Sequence, residues 1–171
     1  ISALGSPASM GFLIEPPAGS DLLTGAATVV LDRIQDAGNV GSILRSASAF
    51  GFGQVLALKG TVGLWSPKVV RAGMGAHFGL QLVEGLAVND LMQLEVPLLV
   101  TSSHEGEWLH RASLPWPCAW VMGHEGQGVS DELMARCALS VRIPQPGGEE
   151  SLNVAAATAI CLYESLRRRL A

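Results

Sequence analysis

Residues 143–169 read IPQPGGEESLNVAAATAICLYESLRRR. The opening residues end an apolar run. Pro144, Pro146, Gly147 and Gly148 then bend the chain, Glu149 and Glu150 add two acids, and a helical pattern follows from Ser151. The helix is so rich in alanine and aliphatic residues that it has almost no polar face. A helix apolar all round must be buried in a core or an interface, so this one is expected to be covered on nearly every side. Ser151 suits a helix N-cap, and Asn153, at the helix start, can bond to backbone or to a ligand. Arg167, Arg168 and Arg169 read as a solvated run that complements the helix dipole.

Working outward, apolar strand-like runs recur: MGFLIE (10–15), AATVVLDRI (26–34), QVLALKG (54–60), PLLVTSS (97–103), CAWVMGHEG (118–126) and ALSVRIP (138–144). Several are continuously apolar, as expected of parallel strands covered on both faces. Helical segments lie between them. Residues 38–51 place Val40, Ile43, Leu44, Ala47 and Phe50 on one stripe. Residues 66–78 begin with Ser66 as a cap and Pro67 at the first helical position. Shorter helices are expected at 89–95 and 130–138, the latter with Ser130 as cap and acids in its first turn. This alternation predicts an α/β domain with a mainly parallel sheet flanked by helices. Ligands of such sheets sit at the carboxyl ends of strands, which points to the loops after residues 31, 101, 123 and 143.

Composition excludes several classes. The 171 residues are 49% apolar, which suits one packed domain. No apolar run reaches the roughly 18 residues of a membrane span, and ISALGSPASMGF lacks the features of a signal peptide. Cys118, Cys137 and Cys161 are odd in number and widely spaced, which predicts buried free thiols in a reducing, cytoplasmic compartment. His77, His104, His110 and His124 show no metal-ligand spacing, so no metal is expected. The net charge of −4 argues against nucleic-acid binding by bulk electrostatics but leaves room for a local basic patch. The chain begins with Ile1, and further sequence upstream is expected; residues 1–25 read as a loosely structured lead-in and 26–171 as the main domain.

Three loops carry candidate chemistry. In LDRIQDAGNVGSILRSASAFGFG (31–53), Gly38 and Gly41 allow close backbone approach at a helix start that favours an anion, and Arg45 lies one turn further on. Neither GxGxxG nor a P-loop is present, which counts against a dinucleotide or nucleoside-triphosphate enzyme on a similar sheet. Taken alone, Arg45 reads as an exposed helix arginine. In VMGHEGQGVSDEL (121–133), three glycines in six residues surround Glu125, either as a plain strand-to-helix turn or as a ligand-facing loop. The third loop is the opening stretch.

Together, NVGSILRSASAFGF, GHEGQG and IPQPGGEESLNVAAA, in this order and spacing, resemble the three motifs of the SpoU-type (TrmH-like) RNA 2′-O-ribose methyltransferases of the SPOUT superfamily. The resemblance covers residues 28–169. It implies a C-terminal deep trefoil knot in the α/β sheet, an exception to the usual avoidance of threaded chains. It also implies a homodimer through the C-terminal helix and knot region, and transfer of a methyl group from S-adenosyl-L-methionine to a ribose 2′-hydroxyl of ribosomal or transfer RNA. The residues it implies for catalysis are Arg45, Asn39, Glu125 and Asn153. Those implied for the cofactor are Thr101, Ser102, Gly123, Ile143, Gln145, Ser151 and Leu152. Arg45 is left as proton acceptor or as a charged binder of phosphate or alkoxide. Position 145 is Gln where the family commonly has Met, and position 124 is His where Asn is common. Relatives often carry a small RNA-binding domain before the catalytic one, and its absence here suits the acidic net charge. A non-catalytic, RNA-binding or partner-binding protein of the same fold is the alternative.

Overall fold

The computed structural model describes residues 13–15, 21–102, 105–147 and 151–170. In chain order the elements are β1 (Thr28–Leu31), α1 (Ala37–Ala49), β2 (Gln54–Leu58), α2 (Pro67–Gly73), β3 (Gln81–Leu86), β4 (Leu98–Thr101), β5 (Glu107–Trp108), β6 (Ala119–Met122), α3 (Asp131–Met134), β7 (Leu139–Arg142) and α4 (Val154–Leu170). Two 3₁₀ turns lie at Ala76–Gly79 and Val88–Gln93. The seven strands form one sheet in the order β3-β2-β1-β6-β4-β7-β5, and every pairing among them is parallel. The α/β class with a mainly parallel sheet is therefore the one observed.

The continuous apolar strands have a direct physical reason. Successive side chains of a strand point to opposite faces. Val29, Leu31, Val55, Ala57, Trp120 and Met122 pack in one core with Ile43, Leu44 and Leu162, whereas Val30, Leu56, Val121 and Ala119 pack in a second with Leu91, Val96 and Leu133. Both faces of the central strands are covered, so residues of either parity are mostly apolar, and the buried polar pair at the strand starts is satisfied internally, with Gln54 Nε2 donating to Thr28 Oγ1 at 2.9 Å.

Some elements depart from the sequence expectation. Of MGFLIE, residues 13–15 form no strand and 10–12 lie outside the described residues. The helix expected over 66–78 stops at Gly73, because Met74 (φ 49°) and Gly75 (φ 89°) are both left-handed. Residues 88–93 make only a 3₁₀ turn, and α3 is a single turn. Ser66 and Ser130 occupy cap positions, yet neither side chain caps; both hydroxyls are buried without a hydrogen-bond partner among the described residues. Strands β3 and β5 were not foreseen: Gly85 interrupts the first, and the second has only two exposed residues.

The chain leaves β7 near one edge of the sheet and returns to place α4 against α1 and β6. Two contacts fix that return. The buried Trp120 indole N–H donates to Ser165 Oγ at 3.0 Å, and Arg168 donates to the carbonyls of Leu109 (2.8 Å) and Ala112. Arg168 is thus a tether and not part of a solvated run. Glu164 sits between Arg167 and Arg168; the hydrogen bond from Arg167 outweighs the opposing effect of burial, Arg168 assists, and the carboxyl is held down at about 2. The expectation that α4 is covered nearly all round fails within one chain. Only Thr158, Cys161, Leu162 and Ser165 are buried, while Ile160 and Tyr163 are 39% and 53% exposed.

The three thiols are free. Burial pushes Cys118 up to about 12 and Cys137 up to about 11, and raises Cys161 further. No helix among the described residues is long and apolar enough to cross a membrane, and no group of three metal-ligating side chains occurs among them.

Gly41 is where α1 meets α2. A Cβ there would lie 2.4 Å from Ala72 Cβ and 2.8 Å from Gly73 N. Gly41→Ala is expected to force the helices apart and cost about 1–3 kcal/mol, measured as a lower urea midpoint with an unchanged m-value.

Candidate active site

The site begins at the end of β1. Asp32 is only 2% exposed, and a buried carboxylate must be paired. It accepts hydrogen bonds from Arg33 Nε (2.9 Å) and Nη2 (3.2 Å), and from the backbone N–H of Ser130 (2.8 Å). Arg33 makes this possible in a left-handed conformation (φ 60°), which costs on the order of 1 kcal/mol for a residue with a side chain. The same guanidinium donates to Gln127 Oε1 (2.9 Å) and the Gly128 carbonyl (3.4 Å). Asp32 and Arg33 therefore clamp the loop after β6 onto the end of β1.

That loop, residues 123–130, folds back on itself. A Cβ on Gly123 would lie 2.3 Å from Gly128 C and from Val129 N, so only glycine fits. His124 and Gly128 exchange both backbone hydrogen bonds (3.1 and 2.8 Å), with Gly128 left-handed at φ 71°. The His124 ring nitrogen Nδ1 lies 3.0 Å from the N–H of Gly126 and 3.2 Å from that of Gln127. Glu125 projects from the tip. Its carboxylate accepts from the Asn39 side chain (3.1 Å) and the Asp36 N–H (3.4 Å). Partial burial alone would raise this carboxyl. Hydrogen bonds from its own backbone N–H, from Asn39 and from the backbone of Asp36 and Gln35 outweigh that and hold it below its ordinary value.

Asp36 caps α1 by accepting from the N–H of Asn39 at 2.7 Å. Asn153 caps α4: its Oδ1 accepts from the N–H groups of Ala155 (2.9 Å) and Ala156 (3.3 Å). The capping residue is thus Asn153 and not Ser151. With Oδ1 committed to the cap, Asn153 Nδ2 donates to Asn39 Oδ1 at 2.9 Å. Asn39 must then turn Nδ2 toward Glu125, whose carboxylate can only accept. The result is a directed chain, Asn153 to Asn39 to Glu125, that joins all three sequence motifs.

Beside this chain lies a cleft of about 280 Å³ at the carboxyl ends of β4, β6 and β7. Thr101, Ser102, Gly123, Glu125, Ile143, Gln145, Ser151, Leu152 and Asn153 all line it, together with Met122, His124, Gly128, Val129, Val154 and Ala157. Ser102 is set by its N–H, which donates to Val141 O (2.9 Å), and by its Oγ, which accepts from the N–H of Glu105 (3.2 Å). Hydroxyls, side-chain amides and turn backbone alternate with apolar walls, a lining suited to a ligand that pairs a flat heterocycle with polar edges. Among the described lining residues only His124 and Glu125 ionise. Arg45 stands apart: it is exposed on α1 and does not line the cleft. Gly148, Glu149 and Glu150 lie outside the described residues. Sequence reasoning missed Asp32, Arg33 and Gln127. Their only signal was an Asp-Arg pair that breaks an apolar strand at its carboxyl end.

Comparison with known proteins supplies the family. The family model described as "SpoU rRNA Methylase family" matches residues 26–163. The 23S rRNA (guanosine-2′-O-)-methyltransferase RlmB of Bordetella pertussis (strain Tohama I) is 39% identical over 155 residues, covering 87% of this chain and 63% of that protein. A TrmH-family structure from Porphyromonas gingivalis superposes with a TM-score of 0.82 at 38% identity, covering 89% of this chain and 63% of the other. The SpoU methyltransferase AviRb of Streptomyces viridochromogenes, solved in complex with AdoMet, superposes with a TM-score of 0.81 at 28% identity, covering 88% and 63%. The chain thus spans less than two thirds of these relatives' length. The fold class read from the sequence, a parallel α/β sheet with a knotted C-terminal crossing, is theirs, and the chain belongs to the SpoU rRNA methylase family.

Proposed function

We propose that this chain is the catalytic part of an S-adenosylmethionine-dependent methyltransferase acting on a ribose 2′-hydroxyl of ribosomal or transfer RNA, with residues 26–171 as the catalytic domain and 1–25 as a lead-in. The observation that carries the reading is the chain Asn153–Asn39–Glu125, which gathers three distant motifs beside a cleft of alternating polar and apolar lining. The donor set fits the cofactor: Thr101, Ser102, Gln145 and Ser151 supply polar groups, and Ile143 and Leu152 supply apolar contact. When bound, S-adenosylmethionine supplies an electrophilic methyl group.

The chain's own residues do the rest. Methyl transfer is a displacement, so alignment of the attacking oxygen dominates the acceleration. Asn153, held by the α4 cap on one side and Asn39 on the other, is a rigid amide suited to that alignment. Glu125 keeps the amide chain in one orientation. The Arg45 guanidinium, a donor-only fork, supports RNA phosphate or the developing alkoxide from the exposed face of α1. Its place outside the cleft agrees with a role toward RNA and not toward cofactor. The protein is further read as a homodimer, supported by the exposed Ile160 and Tyr163 on α4. Cytoplasmic work is supported by three free thiols, two of them fully buried.

Calorimetry with S-adenosylmethionine tests the reading directly; no binding at about millimolar cofactor would overturn it, since that is the upper end of ordinary substrate affinities. Gly123→Ala is expected to weaken cofactor binding more than tenfold, because the loop must open to admit the methyl group. Arg45→Ala is expected to keep cofactor affinity and lose about 100-fold or more in labelled-methyl transfer to RNA. Near-normal turnover in that variant would favour a non-catalytic role. Tyr163→Glu is expected to shift sedimentation from dimer to monomer mass.

A further inference from the structure

We propose that His124 is a positioning residue that holds the cofactor-side loop in its binding shape only while its ring is neutral, so that cofactor affinity falls with acidification. The proposal rests on reading the cleft as an S-adenosylmethionine site. Its geometry stands independently. Nδ1 faces two N–H donors at once, those of Gly126 (3.0 Å) and Gln127 (3.2 Å). Two donors aimed at one ring nitrogen require a lone pair there, so the proton sits on Nε2. A protonated ring has no lone pair on either nitrogen. Both contacts then become N–H against N–H, and the turn that carries Glu125 loses its internal acceptor.

The same chain shows what His124 imitates. Asn153 Oδ1 accepts from the N–H groups two and three residues on, at Ala155 and Ala156. His124 Nδ1 has the same pattern toward the residues two and three on. An asparagine amide makes this turn at any ordinary pH, whereas an imidazole changes charge between about pH 5 and 8. The consequence reaches further than the turn, because Glu125 at its tip orients Asn39 and through it Asn153.

The surrounding charges leave the ring as the switch. Asp32 and Arg33, from the end of β1, pair with each other. Glu125, in the same loop, is turned to Asn39, and Asp36 caps α1. From the end of β4 and the start of α4, no described residue lining the cleft is ionisable. Glu125 itself is held below its ordinary range, so it does not titrate in the window where an imidazole does.

Amide ¹⁵N spectra of the cofactor-free chain, and calorimetric S-adenosylmethionine binding, are followed from about pH 8 to about pH 5.5 in wild type, His124→Asn and His124→Ala. The Gly126 and Gln127 amides are expected to follow one imidazole transition in wild type and to be flat in His124→Asn. Over that range, wild-type affinity is expected to fall about tenfold more than that of His124→Asn, the size of losing one to two net hydrogen bonds. His124→Asn subtracts the titration of the ligand's own groups. His124→Ala is expected to bind weakly already at pH 8, and His124→Asn to bind there like wild type. Amides of Gly126 and Gln127 that ignore the imidazole transition overturn the proposal, as does a His124→Asn profile as steep as wild type. If no form binds cofactor at any pH, the reading of the cleft fails, and the cofactor-free amide titration alone decides the role of His124.

Discussion

A carboxylate buried at the end of the central strand organises this molecule. Asp32 is nearly inaccessible, and leaving it unpaired would cost several kcal/mol. Its pairing dictates two otherwise unfavourable features. Arg33 adopts a left-handed backbone so that its guanidinium can fold back on its neighbour, and Ser130 turns its N–H inward. Once Arg33 is so placed, its remaining donors meet Gln127 and the Gly128 carbonyl, and the loop after β6 has a fixed position. The strain is local and the return is distributed. One charged pair positions a loop whose own backbone has few other long-range ties.

From that loop the organisation passes by hydrogen bonds with a definite direction. Side-chain amides can flip, and a flipped amide presents a donor where an acceptor is needed. Here both ends of the chain are incapable of flipping. At one end Asn153 is committed to the amides that start α4, and at the other the ionised Glu125 can only accept. Asn39 between them has one workable orientation. A cleft whose polar lining is mostly neutral thus obtains from directed hydrogen bonds the rigidity that ion pairs would otherwise supply.

The sheet was legible because its central strands are covered on both faces, and such strands show as unbroken apolar runs: VVL, VLAL and AWVM all appear as read. Shorter or interrupted elements were not. Strand β3 carries Glu84 and Gly85 in its second half, and β5 has two exposed residues whose pairing exists only because β7 lies beside them. The helix at 66–78 read as continuous because its apolar spacing continues past the left-handed Met74, which no local propensity foretells. In the site, most residues marked by motif line the cleft, since glycines and amides at strand ends carry a recognisable pattern, whereas Asn39 lies beside it and Arg45 stands apart on α1. The clamp of Asp32 and Arg33 escaped notice because its partners are 98 and 94 residues away in the chain. The over-apolar α4 read as a helix covered on nearly every side, and in one chain its Ile160 and Tyr163 remain bare.

The cap at Asn153 has a mechanical meaning. The cleft borrows one wall and one end of its amide chain from the start of α4, and Arg168 pins the far end of that helix to the Leu109 and Ala112 carbonyls. Fraying at the distant anchor therefore reaches Asn39 through the helix, so the order of the site is set by the seating of α4 as a whole.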